Sequence, residues 1–222
     1  MADTTVAWAD ARAARFARQA DSVLELVGRS PAIARVQELV RRAAALDGHV
    51  LITAEAGVAV DSVAREIHAK SRYAAGVYGV VECGAGDPAQ LERLLFGASV
   101  GDGSTDLESV SNDSRLAAAQ GGTLFLQDVT DVSAALQARL ARVARDGEMI
   151  VDGRRVATLF RLVASAPPGI ETEVHGHRFR ADLYRRLATV RIDLPPLRER
   201  AEDVPALAER LLERACATRG VA

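Results

Sequence analysis

The stretch HVLITAEAGVAVDSVAREIHA, residues 49–69, decides the fold. It begins with the apolar run 49–53, which follows the turn signal Asp47-Gly48 and has the length of a buried strand. The six residues 54–59 then form a loop, and apolar residues recur after it at the spacing of a helix with one buried face. These apolar residues are Val60, Val63, Ala64 and Ile67. The segment therefore predicts a buried strand, a loop and an amphipathic helix.

Strands and helices alternate on both sides of this segment. Ser30 and Pro31 are typical of a helix start, because serine caps free backbone N–H groups and proline suits the first turn. Strands that alternate with helices indicate a mostly parallel sheet covered on both faces, so the predicted fold class is α/β. The further predicted elements are strands at 77–83, 123–126 and 159–164, helices at 88–96 and around Leu136 and Leu140, and a hairpin that turns at Asp152-Gly153.

Composition narrows the class of protein. The chain has 222 residues, of which 49% are hydrophobic and 26% charged, as in a globular protein with one domain and appendages. The net charge of -2 excludes a broadly basic nucleic-acid binder. Cys83 and Cys216 lack metal-ligand spacing, so no metal site is expected. No apolar run approaches the roughly 18 residues of a membrane span, and the N-terminus does not resemble a signal peptide. A cytoplasmic location is expected.

One internal segment differs from the rest in composition. Residues 97–114, GASVGDGSTDLESVSNDS, are rich in glycine, serine and aspartate. Such a stretch has too little apolar surface to form a core of its own. The sequence predicts a long, mobile insertion here.

Several segments, in a fixed order, resemble the central domain of bacterial enhancer-binding proteins, the AAA+ activators of sigma-54 RNA polymerase. The resemblance covers about residues 24–214 and implies a doubly wound, P-loop-type sheet, ring assembly, ATP at subunit interfaces and remodelling of the polymerase. It divides the chain into a helical lead (1–24), an AAA+-like core (25–195) and the beginning of a helical lid (196–222). The matching segments are LVGRSPAI (26–33), VLITAEAG (50–57), VAREIHAKS (63–71), LERLLFG (91–97), GGTLFLQDV (121–129), LQARLARV (136–143), FRADLYRRL (179–187) and LPPLRERAEDVPALA (194–208).

The resemblance places the phosphate-binding pattern GESGTGKE on residues 54–61. Such a loop uses glycines for close backbone approach and a lysine for the β- and γ-phosphates. Here Ala54 and Ala59 occupy two glycine positions, and Val60 occupies the lysine position. Loss of one charge-assisted contact removes about 1.5–3 kcal/mol, so tight phosphate binding is not expected. The remaining residues assigned to this altered pocket are Gly57 and Asp61.

The positions for magnesium and water are also changed. Where the family has Asp-Glu at the end of a strand, this chain has Gln127-Asp128, and a neutral amide is a poor partner for magnesium. Pro167 occupies the position of the sensor asparagine and has no side-chain amide to orient a water. Because phosphoryl transfer depends on positioning and electrostatics, the chain is predicted not to be an enzyme and not to hydrolyse ATP.

Two other features of the family are retained in this sequence, and one is lost. Arg180 and Arg186 match the arginine fingers that enter a neighbouring subunit's ATP site, although arginines near Asp182 can also form ordinary surface ion pairs. The segment Leu26-Val27-Gly28 matches the adenine side of the pocket. The GAFTGA loop that contacts sigma-54 is absent, because Leu95-Phe96-Gly97 is followed by ASVGDGST.

Four hypotheses follow from the sequence. The first is a non-catalytic AAA+-like module that regulates transcription by assembling with a protein partner, either an intact AAA+ homologue or a second copy. The second is a pseudoenzyme that senses ATP or another nucleotide without cleaving it, the third is a slow ATPase that uses Asp128, and the fourth is a decayed gene product. No cofactor is expected beyond weak binding of ATP with magnesium, and neither a DNA-binding domain nor a membrane segment is expected within these residues.

Overall fold

A computed structural model describes residues 26–98 and 107–219. The predicted helical lead lies outside the described residues, as do residues 99–106 of the predicted insertion. The strands are β1 (Val50–Thr53), β2 (Tyr78–Glu82), β3 (Ser109–Val110), β4 (Thr123–Gln127), β5 (Glu148–Val151), β6 (Arg154–Ala157), β7 (Arg161–Ala166) and β8 (Val190–Asp193). The helices are α1 (Pro31–Ala45), α2 (Val60–Ala69), α3 (Pro88–Phe96), α4 (Arg115–Ala118), α5 (Ala134–Asp146), α6 (Ile170–His175), α7 (Ala181–Leu187) and α8 (Val204–Arg219), with 3-10 helices at Val129–Asp131 and Leu197–Asp203.

The main sheet has five strands in the order β2-β4-β7-β1-β8, and all neighbouring strands are parallel. The carboxyl ends of parallel strands lie at one edge, which we call the carboxyl edge. Crossover helices cover both faces, as parallel strands require. The prediction of an α/β fold with a parallel sheet is confirmed.

Two apolar clusters cover the two faces of this sheet. Successive side chains of a strand point to opposite faces, so Phe125 packs in one cluster while Leu124 and Leu126 pack in the other. The Phe125 cluster contains the buried residues of α1 and α2, including all four residues predicted on the buried face of α2. The opposite cluster contains buried residues of α3, α5 and α7.

Local signals fix the helix ends. Ser30 caps α1, since its hydroxyl accepts a hydrogen bond from the N–H of Ile33 at 3.1 Å, and Pro31 is the first helical residue. Helix α2 ends at Ala69, and the next residue, Lys70, forms a 2.6 Å ion pair with Glu66 of its last turn. Lys70 is the only lysine in the sequence.

A second, three-stranded sheet flanks the undescribed residues 99–106. β5 and β6 form the predicted hairpin at Asp152-Gly153, and β3 pairs with β5 in parallel. The prediction of a mobile insertion as far as residue 114 is wrong for residues 107–114. Val110 is buried in the core, and Arg139 binds the buried Glu108. Ser114 caps α4.

Among the described residues, no helix combines the length and apolar character that a membrane crossing requires. Across the same residues, no three histidine, cysteine, aspartate or glutamate side chains are grouped so that they could hold a metal ion.

Candidate functional site

Three strand ends bring the predicted pocket residues to the carboxyl edge. β1 ends at Thr53 before the loop 54–59, β4 ends at Gln127, and β7 ends at Ala166. The N–H of Ala54 donates to the carbonyl of Ala166 at 3.2 Å, which fixes the start of the 54–59 loop to β7. The geometry thus places the start of the loop beside the end of β7, and the end of β4 lies one strand further along the sheet.

The backbone of the 54–59 loop keeps a turn that can face an anion. Gly57 has a φ of +92°, in the region that favours glycine, and the carbonyl of Glu55 accepts from the N–H of Val58 at 3.3 Å. Within the described part of the chain, no hydrogen bond engages the N–H groups of Ala56, Gly57 or Ala59. These donors lie just before the N-terminus of α2, where the helix dipole favours negative charge.

The side chains at the two following positions face other protein groups. Val60 is only 9% exposed and packs in the cluster formed by α1 and α2, so the lysine position contributes an apolar core contact. The carboxylate of Asp61 binds Arg65 at 2.7 Å and accepts from the Tyr78 hydroxyl at 3.0 Å. Neither side chain is directed to the loop donors by a described contact.

Asp128 is held in an unusual backbone conformation. Its φ and ψ are 55° and 56°, in the left-handed region, and its N–H donates to the Ser165 hydroxyl at 2.9 Å. The side chain of Asp128 is exposed, whereas that of Gln127 is half-buried. Sequence reasoning missed the contribution of Ser165, because 37 residues separate it from Asp128.

The residues at this edge do not fit a magnesium ion well. Magnesium prefers carboxylate oxygens beside phosphates. Gln127 offers an amide, and the exposed Pro167 after β7 has no side-chain ligand. Asp128 supplies a single carboxylate, and the described residues contain no group of three acidic or histidine ligands. No chemical step is therefore assigned to a bound magnesium ion.

Arg198 binds the 54–59 loop from a distant segment. Its guanidinium forms a bidentate ion pair with Glu55, with oxygen–nitrogen distances of 2.7 and 2.5 Å. Arg198 lies in the 3-10 helix 197–203, so the pair joins the loop to the segment that precedes α8. The sequence does not reveal this contact, because 143 positions separate Arg198 from Glu55.

The predicted adenine-side segment is anchored to the same 3-10 helix. The backbone N–H groups of Arg29 and Ser30 donate to Asp203 at 2.7 and 2.8 Å, and the Ser30 hydroxyl donates at 2.6 Å. A β-carbon on Gly28 would lie 2.2 Å from the Asp203 carboxyl carbon, so glycine is required for this close approach. The carbonyl of Leu26 accepts from the Gln37 amide at 2.8 Å. Val27 lies between these anchored residues and is half-buried.

The two finger-like arginines lie at the ends of α7. Arg180 precedes the first helical residue and forms an exposed 2.7 Å ion pair with Asp182. Arg186 lies in the last turn and is exposed. Both side chains are therefore accessible, and the ion pair predicted as an alternative for Arg180 is present.

Five polar side chains link α7 to the carboxyl edge. Arg191 on β8 donates to Asp193 at 2.7 Å and to the Tyr184 hydroxyl at 3.3 Å, and it forms an ion pair with Glu171. The Tyr184 hydroxyl donates to Glu171 at 2.9 Å, and the hydroxyl of Thr53 donates to Asp193. We call these residues the Arg191 network. Sequence reasoning missed it, although the alternation in Val190–Asp193 places Arg191 and Asp193 on one face of a strand.

The fold and this edge define a class. A parallel sheet in the order β2-β4-β7-β1-β8, with a glycine-containing loop between β1 and α2, is the architecture of P-loop-type αβ proteins. The chain belongs to the family described as the Sigma-54 interaction domain, whose profile matches residues 26–193.

Known relatives agree with this assignment. The chain is 37% identical over 209 residues to the DNA-binding transcriptional regulator NtrC of Azospirillum brasilense, which covers 92% of this chain and 42% of that protein. It is 38% identical over 193 residues to the Nif-specific regulatory protein of Rhodobacter capsulatus, which covers 85% of this chain and 33% of that protein. The chain thus spans less than half the length of these relatives.

A solved structure shows the same fold. The crystal structure of NtrX from Brucella abortus in complex with ADP aligns with a TM-score of 0.76 at 29% identity, over 95% of this chain and 47% of that one. NtrX has also been solved in complex with ATP, with the same TM-score.

The prediction that the chain is not an enzyme is wrong. The family is one of AAA+ ATPases, and NtrX, which shares the fold over nearly the whole chain, was solved with both ADP and ATP. Val60, Gln127 and Pro167 are three altered positions within a family match that extends over residues 26–193. These residues stand as substitutions in a member of an ATPase family.

Proposed function

We propose that the chain acts in sigma-54-dependent transcription regulation as a subunit of an AAA+ assembly, and that it supplies Arg180 and Arg186 to the nucleotide site of a neighbouring subunit. The neighbour is an intact homologue with a complete phosphate loop. The observation that supports the proposal best is the exposure of both arginines on a firmly anchored helix. Because transcription takes place in the bacterial cytoplasm, the proposal also places the chain there.

The anchoring of α7 supports a role in positioning charge. Leu183 and Leu187 are fully buried in the core. The buried Gln137 accepts a hydrogen bond from the N–H of Arg180 at 2.9 Å and donates to the carbonyls of Val132 and Arg178. A catalytic arginine must be held close to its productive position, because a displacement of about 1 Å can lower the rate strongly. These contacts fix the backbone from which Arg180 extends.

The ion pair of Arg180 with Asp182 does not prevent such a role. Exposed pairs of this kind contribute about 0–1 kcal/mol, so phosphate oxygens of a neighbouring nucleotide can replace the carboxylate at little cost. Arginine also suits this task because its planar guanidinium binds phosphate in a bidentate manner.

A rescue assay tests the proposal. An intact sigma-54 activator domain is prepared with its own two finger arginines replaced by alanine, and phosphate release is measured with and without this chain. The chain alone at the same concentration gives the baseline. Because an arginine finger contributes roughly 10³-fold or more to the rate, we expect the mixture to exceed the sum of its parts by roughly two to three orders of magnitude.

Matched variants make the assay specific. Arg180→Ala and Arg186→Ala should each abolish the rescue, whereas Arg185→Ala, an exposed arginine of the same helix, should retain it. No rescue by the unsubstituted chain at any mixing ratio, or equal loss with all three variants, would refute the proposal.

A second candidate function is weak nucleotide binding at the 54–59 loop. The N–H groups of the loop that have no described partner support it, together with the positive φ of Gly57, since such groups can donate hydrogen bonds to phosphate oxygens without a lysine. Calorimetric titration with magnesium-ATP tests it, with Val60→Lys as the comparison. The added charge-assisted contact should tighten binding by about one to two decades. Absence of heat from both proteins at millimolar ATP would exclude the candidate.

A further inference from the structure

The Arg191 network connects two parts of the site that are far apart in sequence. At one end, Thr53 is the last residue of β1 and pairs in register with Asp193 of β8. The next residue, Ala54, begins the loop 54–59. At the other end, Tyr184 lies on α7, which carries the two finger-like arginines. The guanidinium of Arg191 lies between the two ends.

We propose that Arg191 is a positioning residue, which fixes the orientation of α7 relative to the end of β1 and thereby sets where Arg180 and Arg186 point. This inference rests on the proposed function and assigns it a residue outside α7. Arg191 acts through Asp193 on one side and through Tyr184 and Glu171 on the other.

The chemistry of arginine suits a residue with partners in two directions. Its Nε donates to Asp193 at 2.7 Å, while its Nη1 reaches the Tyr184 hydroxyl at 3.3 Å and pairs with Glu171. A planar guanidinium presents five donors in fixed directions, whereas a lysine is a point charge on a flexible stem. A lysine at this position can pair with a carboxylate but cannot hold both ends at once.

Shared partners make the network more than a chance surface pair. The side chains of Arg191 and Glu171 are partly buried, at 33% and 36% exposed, whereas that of Asp193 is 64% exposed. The hydroxyl of Tyr184 is shared between Arg191 and Glu171, so its position depends on both. Single exposed pairs contribute little, but several charges in one network with fixed geometry can define an orientation.

Tyr184 transmits this orientation to both arginines. It is four residues after Arg180 and two before Arg186, between the buried Leu183 and Leu187. The leucines fix the depth at which α7 packs, and the Tyr184 hydroxyl resists rotation of the helix about its axis. Rotation of α7 displaces both arginine side chains, and displacements near 1 Å can lower rates by about a hundredfold.

The rescue assay described above tests this inference with Arg191→Met and Arg191→Lys. For Arg191→Met we expect the maximal rescued rate to fall by about tenfold or more, while the chain concentration that gives half-maximal rescue stays the same. Arg191→Lys should recover part of the rate, and Tyr184→Phe should reproduce the loss. The control is Arg155→Met, which removes an arginine–carboxylate pair outside the network, the one between the exposed Arg155 and Glu148 on the hairpin.

The outcomes separate the inference from the proposed function. Full rescue by Arg191→Met would overturn the inference and leave the proposed function standing. A loss that appears as a higher half-maximal concentration with a lower melting temperature would also overturn it, since that pattern reports only general destabilisation.

A second measurement decides the matter if the unsubstituted chain gives no rescue. Hydrogen–deuterium exchange of α7 amides (181–187) is then compared in the chain alone. Faster exchange in Arg191→Met than in Arg155→Met supports the positioning role even though the rescue function has failed. Unchanged exchange overturns the inference.

Discussion

The imidazole of His49 must stay neutral, with its Nδ1 unprotonated, for the fold to keep one of its hydrogen bonds. Its Nδ1 accepts from the N–H of Leu162 at 3.1 Å, which a protonated nitrogen cannot do. Burial, followed by the charges of Arg161 and Arg186, lowers the pKa of His49 from 6.5 to about 4. This residue therefore links the stability of the fold to pH.

The direction of this pH dependence follows from the lowered pKa. The unfolded chain binds the proton more readily than the folded chain, so the stabilisation is complete above pH 6.5 and is lost as pH falls toward 4. We expect the free energy of unfolding to be about 2 kcal/mol lower at pH 5 than at pH 7.5 from this residue. Urea unfolding at the two pH values measures the difference.

His49→Asn is the control, because an amide oxygen can accept the same hydrogen bond without titrating. The variant should lose most of that difference, and the part that remains comes from other groups such as His68, whose pKa is also lowered by burial. An identical pH dependence in both proteins would contradict the assignment to His49.

At the scale of elements, Arg161 joins β7 to the end of α1. It is the first residue of β7 and fully buried. Its Nε donates to the carbonyl of Gly48 at 2.8 Å, and its Nη2 donates to that of Ala43 at 2.5 Å. The guanidinium thus binds carbonyls of the last turn of α1 and of the turn before β1.

Arg161→Met should destabilise the fold, because it removes the arginine donor from the Gly48 carbonyl and leaves the Ala43 carbonyl with the N–H of Leu46 as its remaining donor, at 3.3 Å. We expect a loss of about 2–4 kcal/mol in the free energy of unfolding, measured by urea denaturation at pH 7.5. The control Arg154→Met, an exposed arginine of β6, should change it by less than about 0.5 kcal/mol. Equal small effects of both variants would refute the structural role of Arg161.

The elements that sequence predicts well are those with a strong local signal. Helix α3 begins and ends where the pattern from Pro88 to Phe96 places it, because Asp87 caps its first turn and its buried residues have helical spacing. Strand β3 has two residues, and its partner in β5 is about 40 positions away, so no local periodicity reveals it. Polar residues alternate with apolar ones in the edge strand β8, which hides it from a search for apolar runs.

The candidate site divides in the same way. The replacements at Ala54, Ala59, Val60, Gln127 and Pro167 can be read directly from the sequence. The contacts of Ser165 with Asp128 and of Arg198 with Glu55 join residues 37 and 143 positions apart, so they depend on the tertiary fold. The prediction that the chain is not an enzyme is wrong because substitutions at a few positions do not by themselves determine the class of a family member.

At the scale of the whole molecule, Asp203 attaches the C-terminal segment to the core. It accepts hydrogen bonds from the backbone of Arg29 and Ser30, more than 170 positions earlier in the chain. Together with the pair between Arg198 and Glu55, it holds the 3-10 helix 197–203 against the rest of the structure.

Asp203→Ala should release this segment, because its hydrogen bonds to residues 29 and 30 have no replacement. We expect trypsin to cleave after Arg198 and Arg200 several times faster than in the unsubstituted chain, since cleavage follows local opening. Mass spectrometry of the fragments measures the rates. Glu202→Ala, its exposed neighbour, is the control, and equal cleavage of the two variants would show that Asp203 does not hold the segment.

The solitary lysine at the end of α2 offers a single point of attack for chemistry and proteolysis. Lys70 has a side chain that is 55% exposed, and it lies between β1 and β2 in the chain. A lysine-specific endoprotease can therefore cleave this sequence at one place only. One piece then contains β1, and the other contains β2 to β8. Whether the two pieces remain associated would report how strongly β1 is held by its neighbours β7 and β8 without a covalent connection.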